Sequence, residues 1–417
     1  MTHFDIVIAG AGHAGAQAAI SLRQQGFEGS VALVGAEPGL PYERPPLSKE
    51  YLTGEKPFER LLIRPAEFWQ ERNITLMPDQ RVIAVDAHSR QIATGAGELI
   101  GYDRLIWAAG GTPRRLACEG SELAGVHVLR SRQDSDAILT GLGAVQHVVI
   151  VGGGYIGLEA AASLRKLGKT VTVLEAMPRV LARVAGEAIS RFYEAEHRRH
   201  GVDIRLDARL SRLTGENGRV TGAVLENGQV VPADLVIAGI GIIAETAPLR
   251  AAGARGENGV EVDAYCRTSL EGVYAIGDCA ACPNPWADGA VIRVESVQNA
   301  ADQALTVARH VMGDERPYTA LPWFWSNQYD LKLQTVGLSS GHDTAVLRGD
   351  PGTRSFSVIY LKNGRVIALD CVNAAKDFAF GRKLVMERVE AGVTDLANLD
   401  VALNALLPGR EAARAAG

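Results

Sequence analysis

The sequence has no apolar stretch approaching the ~20 consecutive residues that a membrane-spanning helix needs. It has no block of Lys and Arg either. Lys plus Arg number 43 against 48 Asp plus Glu, a formal net charge of −5, which disfavours binding to a phosphate backbone. Neither nucleic acid nor membrane is an expected partner. Cysteine is scarce: the five residues, at 118, 266, 279, 282 and 371, are too few and too odd in number for a disulfide framework. The nine histidines show no metal-ligand spacing with them, so no metal is expected. Met1-Thr-His-Phe-Asp-Ile-Val-Ile runs straight into a strand-like segment, with no room for a cationic, apolar leader. These absences together predict a reducing, cytoplasmic setting.

What the chain does have is length and glycine. Its 417 residues suggest about two to three domains, enough to bury large cores without disulfide or metal staples. At 47% hydrophobic and 22% charged it has the composition of a folded globular protein. One pair of segments is self-similar. FDIVIA at 4–9 runs into GAGHAG at 10–15 and a helix-like stretch with Ala18, Ala19 and Leu22. HVVIV at 147–151 runs into GGGYIG at 152–157 and a stretch with Leu158, Ala161, Ala162 and Leu164. Gly10, Gly12 and Gly15 map onto Gly152, Gly154 and Gly157 with one constant offset, and a second strand-like run follows each.

The chemistry of dinucleotide binding explains this spacing. The first glycine permits a tight turn, the second lets backbone approach a pyrophosphate, and the third lets helix pack on strand. Unpaired N–H groups at the helix start then face the phosphates. An acid after the second strand is needed for the ribose hydroxyls, and Glu37 and Glu175 stand near the expected ~20 residues on. Glu175 accepts two ribose hydroxyls but repels a 2′-phosphate, which favours NADH over NADPH. Two such motifs predict one bound flavin dinucleotide and one exchanging nicotinamide dinucleotide. A strand ending in Gly277-Asp278, within TSLEGVYAIGD at 268–278, offers Asp278 to a ribitol hydroxyl, although an ordinary helix cap explains it too.

The whole chain resembles the FAD-dependent, NADH-linked ferredoxin reductases of bacterial oxygenase systems, the putidaredoxin reductase and rubredoxin reductase group. The matching blocks are GAGHAG at 10–15, RPPLSKEYL at 44–52, YDRLIWAAGGTPR at 102–114 and VVIVGGGYIGLEAAASL at 148–164. They continue with ADLVIAGIG at 233–241, YAIGDCA at 274–280, RVESVQNA at 293–300 and PWFWSNQYD at 322–330. The resemblance implies an α/β fold of glutathione-reductase-like architecture, with two Rossmann-like dinucleotide-binding domains and a C-terminal α+β domain. The implied FAD domain is discontinuous, 1–112 and 245–318, with an NADH domain at 113–244, a C-terminal domain at 319–408 and a tail at 409–417.

The resemblance also implies roles for single residues. Lys49 reaches the flavin edge where hydride arrives, and Glu159 lies near the nicotinamide amide and pairs with Lys49. Arg44 and Pro45 contact flavin, Pro45 with Pro46 stiffening the loop. Ala14, Val82, Ala109, Arg130, Val297 and Trp325 are implied FAD contacts, although Val82, Val297 and Trp325 read equally well as core residues. Ala109 stands where the family usually has Thr, which leaves only a backbone contact. Ile156, Gly241 and Arg183 are implied on the NADH side, Arg183 near the adenine half.

The implied activity is hydride transfer from NADH to FAD, then single electrons to a small [2Fe–2S] ferredoxin that feeds a cytochrome P450 or Rieske oxygenase. The ferredoxin contact is expected to be transient and charge-guided, with Arg293, Arg309, Lys376, Arg382 and Lys383 as candidate contacts and a monomer or weak dimer as the assembly. Two alternatives remain: an NADH oxidase or quinone/dye reductase, and a non-catalytic NADH-sensing flavoprotein. Cys279-Ala-Ala-Cys282 reads as small packing residues rather than a redox dithiol, and no Cys lies in 40–50 or 130–160, where disulfide reductases of this type carry their pair.

Overall fold

A computed structural model describes residues 2–408; the expected tail at 409–417 lies outside them. The chain divides into two compact units. The first comprises the residues up to Arg44, Phe58–Thr112 and Ile243–Pro322; the second comprises Pro45–Pro57, Pro113–Ile242 and the chain from Trp323 onward. The sequence reading kept 45–57 with the first portion and set 319–408 apart. In the structure Leu52, Leu331, Leu333, Phe356 and Tyr360 share one core with Ile150, Leu158 and Ile189, which groups both segments with the second unit; within it the strands from Trp323 onward form a sheet of their own, the expected C-terminal α+β domain.

The first unit is built on parallel strands in the order Ile74–Met77, Val31–Val34, Thr2–Ala9, Leu99–Trp107, with Val273–Ala275 also paired to Leu99–Trp107. The strands Val82–Asp86 and Gln91–Thr94 extend the sheet antiparallel. Val31–Val34 is buried at every position, as expected of a parallel strand covered on both faces. Helix His13–Gln24 packs on helix Val297–Val311 through Ala16, Ala19, Ala300, Ala304 and their neighbours, small side chains that bring the two close.

The second unit repeats the plan. Its parallel strands run in the order Asp203–Arg205, Thr170–Leu174, His147–Val151, Leu235–Ala238, Val126–Val128. A three-stranded antiparallel meander spans Leu210–Pro232. Five antiparallel strands follow from Trp323, in the order Trp323–Gln328, Leu331–Gly337, Arg365–Val372, Ser355–Lys362, Thr344–Asp350, with helix Ala375–Met386 after them.

The repeat seen in the glycines is therefore a repeat of structure. Gly10 N donates to Val34 O at 2.8 Å, and Gly152 N donates to Leu174 O at 2.8 Å. Each turn thus leaves the first strand at the same step of the ladder, at the carboxyl end where ligands of such sheets bind.

Candidate functional site

The three glycines of each motif do different work. Gly10 has φ +116° and an added Cβ there would lie 2.3 Å from Ala108 O; Gly152 has φ +110° and 2.4 Å from Gly239 O. A Cβ on Gly15 would stand 1.8 Å from Gly10 O, and on Gly157 2.1 Å from Gly152 O. These four are demanded by the fold. The middle glycines are not. A Cβ on Gly12 would meet only Arg44 Nε at 3.9 Å, and one on Gly154 would meet nothing within 4 Å. Gly12 and Gly154 are the N-caps of helices His13–Gln24 and Tyr155–Lys166; neither helix has a side-chain cap bond or an acid in its first turn. Open space before a helix start whose N–H groups no side chain caps fits a pyrophosphate. The residues present fit both dinucleotides.

The two acids differ in their partners. Glu37 accepts from Arg44 Nη2 and Tyr42 OH, each at 2.5 Å. Burial draws the Arg44 guanidinium down, but its electrostatic interactions with Tyr42, Glu37 and Asp278, with the hydrogen bond to Glu37, outweigh it and hold the group above its ordinary value. Glu175 instead braces the glycine turn, accepting from Gly153 N at 2.7 Å and Met177 N at 2.8 Å. Nearby Arg179 is committed to its own loop, donating to Ala182 O, Ala185 O and Ser190 Oγ. Arg183 is exposed.

Around Asp278 the first unit is braced from several sides. Gly277 N donates to Gln303 Oε1 at 2.7 Å, and Asp278 O accepts from Arg293 Nη1 at 2.5 Å. Arg293 also pairs with Glu295 at 2.9 Å and is only 11% exposed, so its role is internal rather than docking. A Cβ on Gly277 would sit 3.0 Å from Ala14 Cβ, which explains the small residues at both positions. Val82 begins its strand and is half-buried; Val297 begins the helix capped by Ser296, whose Oγ accepts from Asn299 N. Ala109 follows the strand end at Trp107 and is half-buried.

Cys279 and Cys282 are buried thiols, and burial pushes both up to about 12. The five cysteines are free, and none of the described His, Cys, Asp and Glu residues cluster as a metal site.

In the second unit Lys49 and Glu159 meet. Pro45–Ser48 forms one tight turn, and Lys49 N donates back to Pro46 O at 3.0 Å. Lys49 Nζ then donates to Glu159 Oε2 at 2.7 Å. Glu159 lies in the second turn of helix Tyr155–Lys166, and burying its carboxylate costs several kcal/mol unless it is paired and hydrogen-bonded. Sequence reasoning named the cation but missed the two hydroxyls: Ser48 Oγ donates to Oε2 at 2.7 Å and Ser326 Oγ to Oε1 at 2.7 Å. Both serines lie inside sequence blocks already singled out, RPPLSKEYL and PWFWSNQYD, and that was the available signal. Ile156, beside this helix start, is 44% exposed despite being apolar. Tyr155 packs on Phe324 with ring centroids 4.6 Å apart, and Trp325 lies next along that strand, 5.5 Å from Trp323. Gly241, at φ +94°, accepts from Arg114 N at 2.9 Å. Arg130 precedes a capping box in which Ser131 and Asp134 bond each other, and its own N–H donates to Asp134 at 3.1 Å.

Comparison with known proteins places this geometry. Residues 4–304 match the family model described as pyridine nucleotide-disulphide oxidoreductase, and 323–407 match one described as reductase C-terminal. A ferredoxin–NAD(P)+ reductase of a Sphingomonas species is 56% identical over 397 residues, 94% of this chain and 96% of that one. The 5,5′-dehydrodivanillate O-demethylase ferredoxin reductase subunit of a Sphingobium strain is 55% identical over 407 residues, covering 97% and 99%. The crystal structure of a covalent putidaredoxin reductase–putidaredoxin complex superposes with a TM-score of 0.94 at 36% identity, covering 99% of this chain and 100% of that one.

Proposed function

The chain belongs to the pyridine nucleotide-disulphide oxidoreductase family, and on that premise we propose that it is the NADH-dependent reductase of a small [2Fe–2S] ferredoxin serving an oxygenase. It is an oxidoreductase that uses FAD and NAD(H) and transfers electrons to a ferredoxin. The observation that carries the reading is the pair of glycine turns, each with a middle glycine facing open space. When bound, FAD supplies the ability to accept a hydride from NADH and release electrons singly.

The protein's own part is placement and field. Gly10, Gly12, Ala14, Gly15, Glu37, Arg44, Val82, Ala109, Asp278 and Val297 are assigned to FAD, as are Pro45, Lys49, Arg130 and Trp325. Gly152, Gly154, Ile156, Gly157, Glu159, Glu175, Arg183 and Gly241 hold NADH. Glu159 anchors Lys49, and the pair orients the nicotinamide for transfer; no acid or base is needed for the hydride itself. Among the described residues no helix is long and apolar enough to cross a membrane; a cytoplasmic setting and a monomer or weak dimer are part of the proposal.

The test is an anaerobic stopped flow. The holoenzyme is reduced with stoichiometric NADH and mixed with a panel of [2Fe–2S] ferredoxins. Fast bleaching by NADH, then reoxidation by one ferredoxin far faster than by oxygen or quinone, is expected. Rapid reoxidation by oxygen or quinone alone would replace this reading with an oxidase or quinone reductase.

A further inference from the structure

Behind Glu159 runs a line of buried polar side chains that hydride transfer does not directly use. Ser326 Oγ donates to Glu159 Oε1, and Gln328 Nε2 donates to Ser326 Oγ at 3.1 Å. Gln328 Oε1 lies 2.8 Å from His197 Nε2, and Tyr329 OH lies 2.9 Å from His197 Nδ1. His197, Ser326 and Gln328 are almost wholly buried. Tyr329 is closed off by His200, whose ring stacks on it at 3.7 Å and 11°.

The protons along this line have one consistent arrangement. A carboxylate has no proton to donate, so the single hydroxyl proton of Ser326 points at Glu159. The Ser326 lone pairs then take the Gln328 amide N–H. That turns the Gln328 carbonyl toward His197, which must carry its proton on Nε2. His197 Nδ1 is left as an acceptor, and Tyr329 donates to it. Burial draws His197 down to about 4, so the ring is neutral and keeps one acceptor nitrogen, as the arrangement needs. A buried network with every member satisfied is rigid, and it specifies a single geometry.

We propose that Gln328 and His197 are positioning residues: they hold the Ser326 hydroxyl on Glu159 and thereby set where Glu159 presents Lys49 to the nicotinamide. The inference rests on the reading that the Lys49–Glu159 pair serves hydride transfer.

The experiment uses holoenzyme carrying 15N-histidine, with the His197 signals assigned by their loss in His197→Asn. The Nε2–H tautomer is expected, unchanged between pH 5 and 9. In Gln328→Leu the acceptor for Nε2–H is gone, so the signal moves toward the Nδ1–H tautomer with Tyr329 accepting. NADH reduces the flavin about tenfold more slowly in this variant, with NADH affinity unchanged, as a small misplacement of a reacting group would cause. Should Gln328→Leu not fold, Ser326→Ala is expected to slow reduction similarly, and Ser326→Thr, which keeps the hydroxyl, to restore it. A wild-type His197 that is Nδ1–H or cationic at pH 7 overturns the proposal. So does a Gln328→Leu or Ser326→Ala enzyme reducing flavin at the wild-type rate while Glu159→Gln is slow. If Glu159→Gln itself is reduced at the wild-type rate, the reading of the Lys49–Glu159 pair falls, and the positioning role with it.

Discussion

Lys49 Nζ lies 2.7 Å from Glu159 Oε2, with the two side chains 11% and 3% exposed, and two serine hydroxyls complete the carboxylate's shell. Such a pair is costly to break from one side. Lys49→Met leaves a buried carboxylate without its cation and is expected to cost about 3 kcal/mol of stability. Adding Glu159→Gln to that variant should recover more than half of the loss, measured by urea unfolding. A double variant no more stable than Lys49→Met would mean that charge burial is not what the pair solves.

The glycine geometry separates folding from binding. Gly10→Ala and Gly157→Ala push a methyl into backbone at 2.3 and 2.1 Å, so both should fail to fold or melt far below the wild type. Gly12→Ala and Gly154→Ala should fold normally and lose affinity for FAD and for NADH respectively. Apoprotein melting followed by FAD and NADH titration would decide it; an unaltered affinity in both would remove the pyrophosphate assignment.

Glu175 braces Gly153, and the proposed function assigns it to the adenosine ribose as well. Glu175→Ala is expected to raise the KM for NADH while narrowing the preference over NADPH, since a repelling charge is lost. Steady-state kinetics with both nucleotides tests it. A raised KM with the preference intact would leave Glu175 as a brace alone.

Two buried groups give opposite pH dependences. His197 titrates near 4 in the fold because burial disfavours its cation, against about 6.5 unfolded. Its contribution is therefore full above pH 6.5 and lost as pH falls toward 4, about 3 kcal/mol in all. Asp370 moves the other way: burial raises it to about 6, against the lowering by the Tyr360 hydroxyl that donates to it at 2.7 Å. Its cost is absent below pH 3.8 and full above 6. Asp370→Asn should therefore gain about 2 kcal/mol on the wild type as pH rises from 4 to 7. Denaturant midpoints across that range are the measurement, and a pH-independent difference would refute the assignment.

Lys376, Arg382 and Lys383 are exposed on helix Ala375–Met386, unlike Arg293. Reversing all three to Glu should lower the ferredoxin association rate about tenfold at low salt, with the difference shrinking as salt rises. Flavin reduction by NADH should be unchanged. An association rate indifferent to the change would place docking elsewhere.

Sequence alone determined the two dinucleotide folds, because their signal is local. A strand, a turn needing positive φ and a helix start follow one another directly, and Gly15 and Gly157 each meet the backbone of the residue five back in the chain, whereas Gly10 and Gly152 also abut Ala108 and Gly239, which only the fold brings near. Blocks such as RPPLSKEYL carried the family resemblance for the same reason. Only the tertiary structure decided what surrounds Glu159. Its serine partners stand 111 and 167 residues away in the chain, and no spacing rule reaches that far. The unit that residues 45–57 join was likewise settled by packing, since Leu52 is buried in a core assembled from distant strands and helices. Local backbone geometry is written in short stretches of sequence. The cost of burying a charge falls on whichever groups the completed fold brings within hydrogen-bond reach.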